Sequence, residues 1–273
     1  MECRRMQRTQ NKLPLIAGVI VSWLCSNASA ASASDSSVYA TASLEFQRLV
    51  SQATREADMP QLTSPKAADL IATLSDVRLL SSRTYQMKDM EALMGLCDQS
   101  NKAVMSYVMF DVKSIANAKS DPQELAARLV PLMEKNVRTF QHELERLQPF
   151  LFRCIAQEIP LLTQFTQSLK PEEFTEIRRA GLKQARNGMF NVYYGALRSS
   201  GDLAYTESYR TKVLQTLADV TPQYVSVLQP QARKQIADLA ASSATKAPPS
   251  LRKHLQVIAT GMSDSRCEGL CAL

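Results

Sequence analysis

The stretch DPQELAARLVPLMEKNVRTFQHELERLQPFLFRCIAQEIPLL, residues 121–162, decides the fold class. Leu125, Leu129, Val137, Phe140, Leu144, Leu147, Leu151, Ile155 and Leu162 recur within it at intervals that keep them on one face of a helix. Asp121 is placed to cap that helix, Pro122 suits its first turn, and Glu124 can close a capping box. Pro131, Pro149 and Pro160 interrupt the run at spacings of 18 and 11 residues. At about 100° per residue all three fall on nearly the same side, and each removes a backbone hydrogen bond there. The stretch is therefore expected either to arc, convex on the proline side, or to form two or three segments in line.

Outward from this stretch the same periodicity holds from Val38 onward, with no sustained alternation rich in Val, Ile and Thr. The pattern predicts an all-α, single-domain antiparallel helical bundle over 38–262, with long helices interrupted by proline. Helices are expected at about 38–57, from near Pro65, and at about 87–118, with later starts at Pro171, Asp202, Thr221-Pro222 and Pro249. Leu169-Lys170-Pro171 and Leu228-Gln229-Pro230 read as punctuation that stops one helix and starts the next, not as an internal repeat. Residues 241–247, Ala-Ser-Ser-Ala-Thr-Lys-Ala, are the most linker-like internal segment. Residues 31–37 read as a flexible polar tail and 263–273 as a cysteine-containing C-terminal tail.

The first 30 residues carry an address. Arg4, Arg5, Arg8 and Lys12 precede an apolar run from Leu13 to Cys25, and Ala28-Ser29-Ala30 offers small residues to a signal peptidase. As a helix that run rises only about 20 Å, short of the roughly 30 Å of a bilayer's hydrocarbon core. It reads as a secretory signal peptide, 1–30, and the expected compartment is periplasmic or extracellular. Bulky Trp23 and Leu24 argue against lipidation of Cys25. Cleavage removes four basic residues and one acidic one, so the net charge falls from +6 to +3. A chain so near neutral, with no long Lys/Arg block, is not expected to bind nucleic acid, and no other apolar run is long enough to span a bilayer.

Four cysteines remain after cleavage: Cys97, Cys154, Cys267 and Cys271. In an oxidising compartment they are disulfide candidates, with three full pairings open to them. A hairpin of helices 87–118 and 121–162 turning near Lys119 would set Cys97 level with about residue 141 and leave Cys154 roughly 20 Å beyond it. That favours a local Cys267–Cys271 loop, or bridges from the tail to the bundle, over a direct Cys97–Cys154 bond.

Within 172–198, Gly181, Gly188 and Gly195 recur every seven residues. Each costs about 1 kcal/mol relative to Ala, and the expected compensation is a seam where another helix packs closely. Beside it Lys183, Asn187, Asn191, Tyr194 and Arg198 form one polar stripe, the first place to look for a surface that binds a ligand or partner. Met87, Met90, Met94 and Cys97 stack four soft sulfur donors on one helix face, which packing explains and which Cu(I) binding would also use.

Other chemistry has few parts here. His142-Glu143 starts like H-E-x-x-H, but Arg146 stands where the second ligand belongs. His142 and His254 are the only histidines, and neither nucleotide-binding glycine motifs nor a hydrolase nucleophile elbow occurs. The expectation is an exported helical protein of the periplasm or cell envelope that acts by non-covalent binding of a protein or small molecule, or as a structural component, without a cofactor. The alternatives are a Cu(I)-binding protein using the Met/Cys face and a thiol-disulfide oxidoreductase using Cys267-x3-Cys271.

Overall fold

Helix formation through the 121–162 stretch breaks once, at Phe140 (φ −105°, ψ 24°), and at none of its prolines. In the computed structural model, which describes residues 33–81, 84–115, 122–263, 267 and 269–273, the two halves are α6 (Pro122–Thr139) and α7 (Gln141–Ser168). Pro131 lies inside α6, and Pro149 and Pro160 lie inside α7. The break falls where α6 docks on the end of α4 (Met90–Val108). Asn136 Nδ2 donates to the carbonyls of Val108 (3.1 Å) and Phe110 (2.8 Å), satisfying acceptors that a helix end leaves open. Asp121 lies outside the described residues, as does the expected signal peptide, 1–30.

The described residues form helices and no strand. Before α4 come α1 (Ala33–Gln52), α2 (Pro65–Leu74) and the single turn α3 (Arg78–Ser81). After it come α5 (Val112–Ile115), α6 and α7, then α8 (Glu176–Gly201), α9 (Glu207–Val227), α10 (Pro230–Lys246) and α11 (Pro249–Gly261). α7 is central, packed against α4 on one side and α9 on the other. Phe46, Tyr107, Phe140, Phe150 and Phe152 are buried among the side chains that join these layers into one core.

Several boundaries differ from expectation. α1 begins at Ala33, inside the segment expected to be a flexible tail. The helix expected to reach residue 118 ends at Val108, because the chain turns through Asp111 at φ 57°, a left-handed conformation that Asp tolerates better than most residues. No helix starts at Asp202 or Pro222. Thr206 caps α9, its hydroxyl accepting from the Tyr209 N–H, and the helix runs on through Pro222. Residues 241–246 are helical rather than a linker. Ala240 and Ala244 are buried on α10's inner stripe, and their small side chains let neighbouring helices approach. A Cβ on Gly201 of α8 would stand 3.0 Å from Ser243 Oγ. Leu169 and Leu228 do end helices, each in extended backbone.

The disulfide pairing corrects the sequence expectation. Cys97 and Cys154 are bonded, with Cα atoms 5.5 Å apart. A hairpin turning near Lys119 misplaced Cys154, because the actual crossing from α4 to α7 lies elsewhere. The Phe140 ring sits 5.1 Å from Tyr107 and 5.9 Å from Phe110, so α7 starts beside the last turn of α4. Running antiparallel from that point, the two helices bring Cys97 and Cys154 level. Cys267 and Cys271 form the local loop that was one of the two favoured arrangements.

Candidate functional site

The polar stripe of α8 forms a surface but not a cluster. Lys183, Asn187 and Asn191 are exposed, Tyr194 is half-buried and stacked on Phe190 (5.3 Å), and Arg198 reaches across to Glu134 of α6 at 2.6 Å. The opposite face of α8 does the packing. Tyr193 donates toward the Leu217 carbonyl and pairs with the Thr221 hydroxyl, and Arg186 is buried against the C-terminal segment. At its two outer positions, Gly181 and Gly195, the glycine seam is not a helix contact. A Cβ built on Gly181 or Gly195 meets nothing within 4 Å, since the buried stripe (Leu182, Met189, Tyr193, Ala196) sits about one residue round the helix from the glycines.

The sulfur face divides. Met87 and Met90 are half-buried against the core, Met94 is half-buried, and Cys97 is buried and tied to Cys154. With its sulfur in the disulfide, Cys97 has no thiolate to offer a soft metal. Cys271 is fully buried, and its Sγ lies 3.1 Å from the Leu228 carbonyl oxygen. That sulfur carries no proton, so the approach is a packing contact. His142 is exposed and His254 half-buried, and among the described residues no group of three His, Cys, Asp or Glu side chains could hold a metal ion.

A groove of about 620 Å3 runs between α3, α7 and α9. Leu80, Pro149, Ala156 and Val220 supply its apolar floor, and Arg146, Arg153, Lys212, Asp219 and Gln223 its polar walls. α7 and α9 run side by side in the same direction here. Ser208 donates to Glu145 (2.7 Å), Tyr209 donates to Gln148 (2.9 Å), and Arg153 faces Asp219 (3.6 Å). Lys212 thus lies across from the interval between Arg146 and Arg153. Pro149 has no N–H to donate to the Glu145 carbonyl, and both residues line the groove. Gln223 Oε1 is shielded from solvent with no hydrogen-bond partner among the described residues.

Sequence periodicity could show that Arg146 and Arg153 share a face of α7 two turns apart. It could not show Lys212, Asp219 and Gln223 opposite them, because that depends on the parallel packing of α9.

Two ionisable groups are buried elsewhere. Glu158, 6% exposed, lies one turn beyond Cys154, and burial, aided by the nearby Asp98 carboxylate, pushes its carboxyl up to about 8. Arg233 in α10 is 1% exposed, and its three guanidinium nitrogens have no partner among the described residues.

No family model, curated protein or solved structure matches this chain.

Proposed function

We propose that this chain is an exported helical protein of the periplasm or cell envelope that works by non-covalent binding, or as a structural component of that compartment. The observation that carries the proposal is the pairing of all four cysteines beyond the leader-like segment into two disulfides. Such bonds persist in oxidising compartments and are rare in reducing ones. The basic, apolar and small-residue order of residues 1–30 supplies a matching address. No helix among the described residues is long and apolar enough to cross a membrane. The groove beside α7 supports the binding half of the reading, because apolar floor and convergent polar groups are the composition of ligand sites.

The test is to express the full chain with its own N-terminus in a bacterial host, fractionate the cells and sequence the N-terminus of the product. The expected product begins at Ala31, lies outside the cytoplasm and shows no labelled thiol when alkylated under denaturing, non-reducing conditions. A cytoplasmic product retaining Met1, with its thiols open to alkylation, overturns the reading.

A further inference from the structure

We propose that the groove between α3, α7 and α9 binds a small anionic sugar, with Arg146, Arg153 and Lys212 taking the anionic group and the Asp219 and Glu145 carboxylates taking hydroxyls. The inference rests on the reading of the chain as a binding protein and names what the groove would hold. Its volume, about 620 Å3, falls within the roughly 300–1,000 Å3 usual for small-molecule sites.

Three cations share these walls with two carboxylates, Glu145 and Asp219, which leaves positive charge for an anion to meet. Arg146 and Lys212 have no side-chain partner among the described residues. Arg153 touches Asp219 only at 3.6 Å, too long for a hydrogen bond, so its guanidinium keeps its donors. Arg146 and Arg153 stand about 10 Å apart along α7. Lys212 faces the space between them, so one phosphate or carboxylate group can be approached from three sides. Guanidinium groups favour such oxyanions because their donors match two oxygens at once.

A bare anion fits only part of the site. The Asp219 and Glu145 carboxylates are acceptors on the same walls, and an inorganic phosphate, with one or two P–OH donors, serves them less well than a polyhydroxylated ligand. A neutral sugar would satisfy the acceptors and leave the cations unused. A hexose bearing a phosphate or carboxylate answers both halves, and its C–H face can lie on Leu80, Pro149 and Val220.

The experiment is isothermal titration of the purified, disulfide-intact protein with glucose 6-phosphate, galacturonate, glucose and inorganic phosphate. At least one of the two anionic sugars should bind in the millimolar range or tighter, and more tightly than glucose or phosphate by tenfold or more. Which of the two binds identifies the anionic group. The double variant Arg146→Ala/Lys212→Ala, made at exposed positions, should lose that binding with an unchanged thermal midpoint. Asp219→Asn should weaken the sugar more than phosphate. The proposal fails if neither anionic sugar binds, if binding survives the double variant, or if phosphate alone binds as well as its sugar ester. Export and disulfide formation are read separately, so the groove can fail while the compartment stands.

Discussion

Arg186 Nη1 donates to the Cys271 carbonyl oxygen at 3.2 Å, joining the middle of α8 to the last turn of the chain across 85 residues of sequence. The same nitrogen reaches the Leu270 carbonyl at 3.2 Å. Arg186 as a whole is 5% exposed, so these bonds are made largely out of water.

Arg186→Met should therefore release the C-terminal turn. Two carbonyls lose a charged donor, and the expected loss of stability is about 1.5–3 kcal/mol. Amide exchange of residues 269–273 should rise by more than the global loss accounts for. Unchanged protection of that turn would show that the 267–271 loop holds itself in place.

The two disulfides should differ sharply. Cys97–Cys154 closes a loop with a sequence separation of 57, worth about 4 kcal/mol in chain entropy, whereas the separation of 4 between Cys267 and Cys271 constrains little of the unfolded chain. In urea denaturation, Cys97→Ser/Cys154→Ser should show the larger fall in midpoint. Equal falls would contradict the entropic assignment.

Glu158 should make stability depend on pH. Its carboxyl titrates near 4.5 unfolded and near 8 in the fold, so the folded state holds an extra proton between those values. Stability from this group is highest below about 4.5, declines as pH rises toward 8, and is level above that. Asp98 on α4 and Tyr224 on α9 are the titratable neighbours that reinforce the effect or respond to it. Glu158→Gln should flatten the decline, and at pH 8 should be the more stable protein by on the order of a few kcal/mol. Parallel pH–stability curves for the two proteins would show that the carboxyl is solvated.

Gly181→Ala and Gly195→Ala should each stabilise. Both glycines are inside α8 with open space where a Cβ would stand, so the gain is the helix propensity difference of about 0.5–1 kcal/mol. Chemical denaturation would detect it, and a loss at either site would restore the packed seam.

Arg233→Met should raise the thermal midpoint. A desolvated guanidinium without a hydrogen bond opposes folding, and a methionine of similar reach keeps the packing without the charge. A lowered midpoint would reveal a partner for the guanidinium in solution.

What was legible in the sequence was what repeats along one helix. The 3.6-residue period gave the all-α class, and the Leu-x-Pro steps at 169 and 228 marked true helix ends. Prolines misled where a helix tolerates them: Pro222 reads as a start, yet it sits inside α9 with neighbouring Thr221 buried in the core. Phe140 interrupts the longest helical run with no breaker residue at all, beside the tertiary contact that Asn136 makes with the end of α4. The Cys97–Cys154 pairing depended on that crossing and was hidden with it. Lys183, Asn187 and Asn191 lie on an exposed face of one helix, where periodicity can group them, but the groove needs side chains from three helices and leaves no single periodic trace.

The bond between Cys97 and Cys154 also sets how far the molecule can be drawn out. Pulled by its two ends, the chain can unravel outside the loop, but the loop's length stays sequestered behind one covalent link. With a sequence separation of 57, about 190 Å of contour is withheld. α6, most of α4 and the first half of α7 bear no tension in that geometry. Reduction of a single bond would hand all of that length back, so the molecule's extensibility is governed by the redox state of its surroundings.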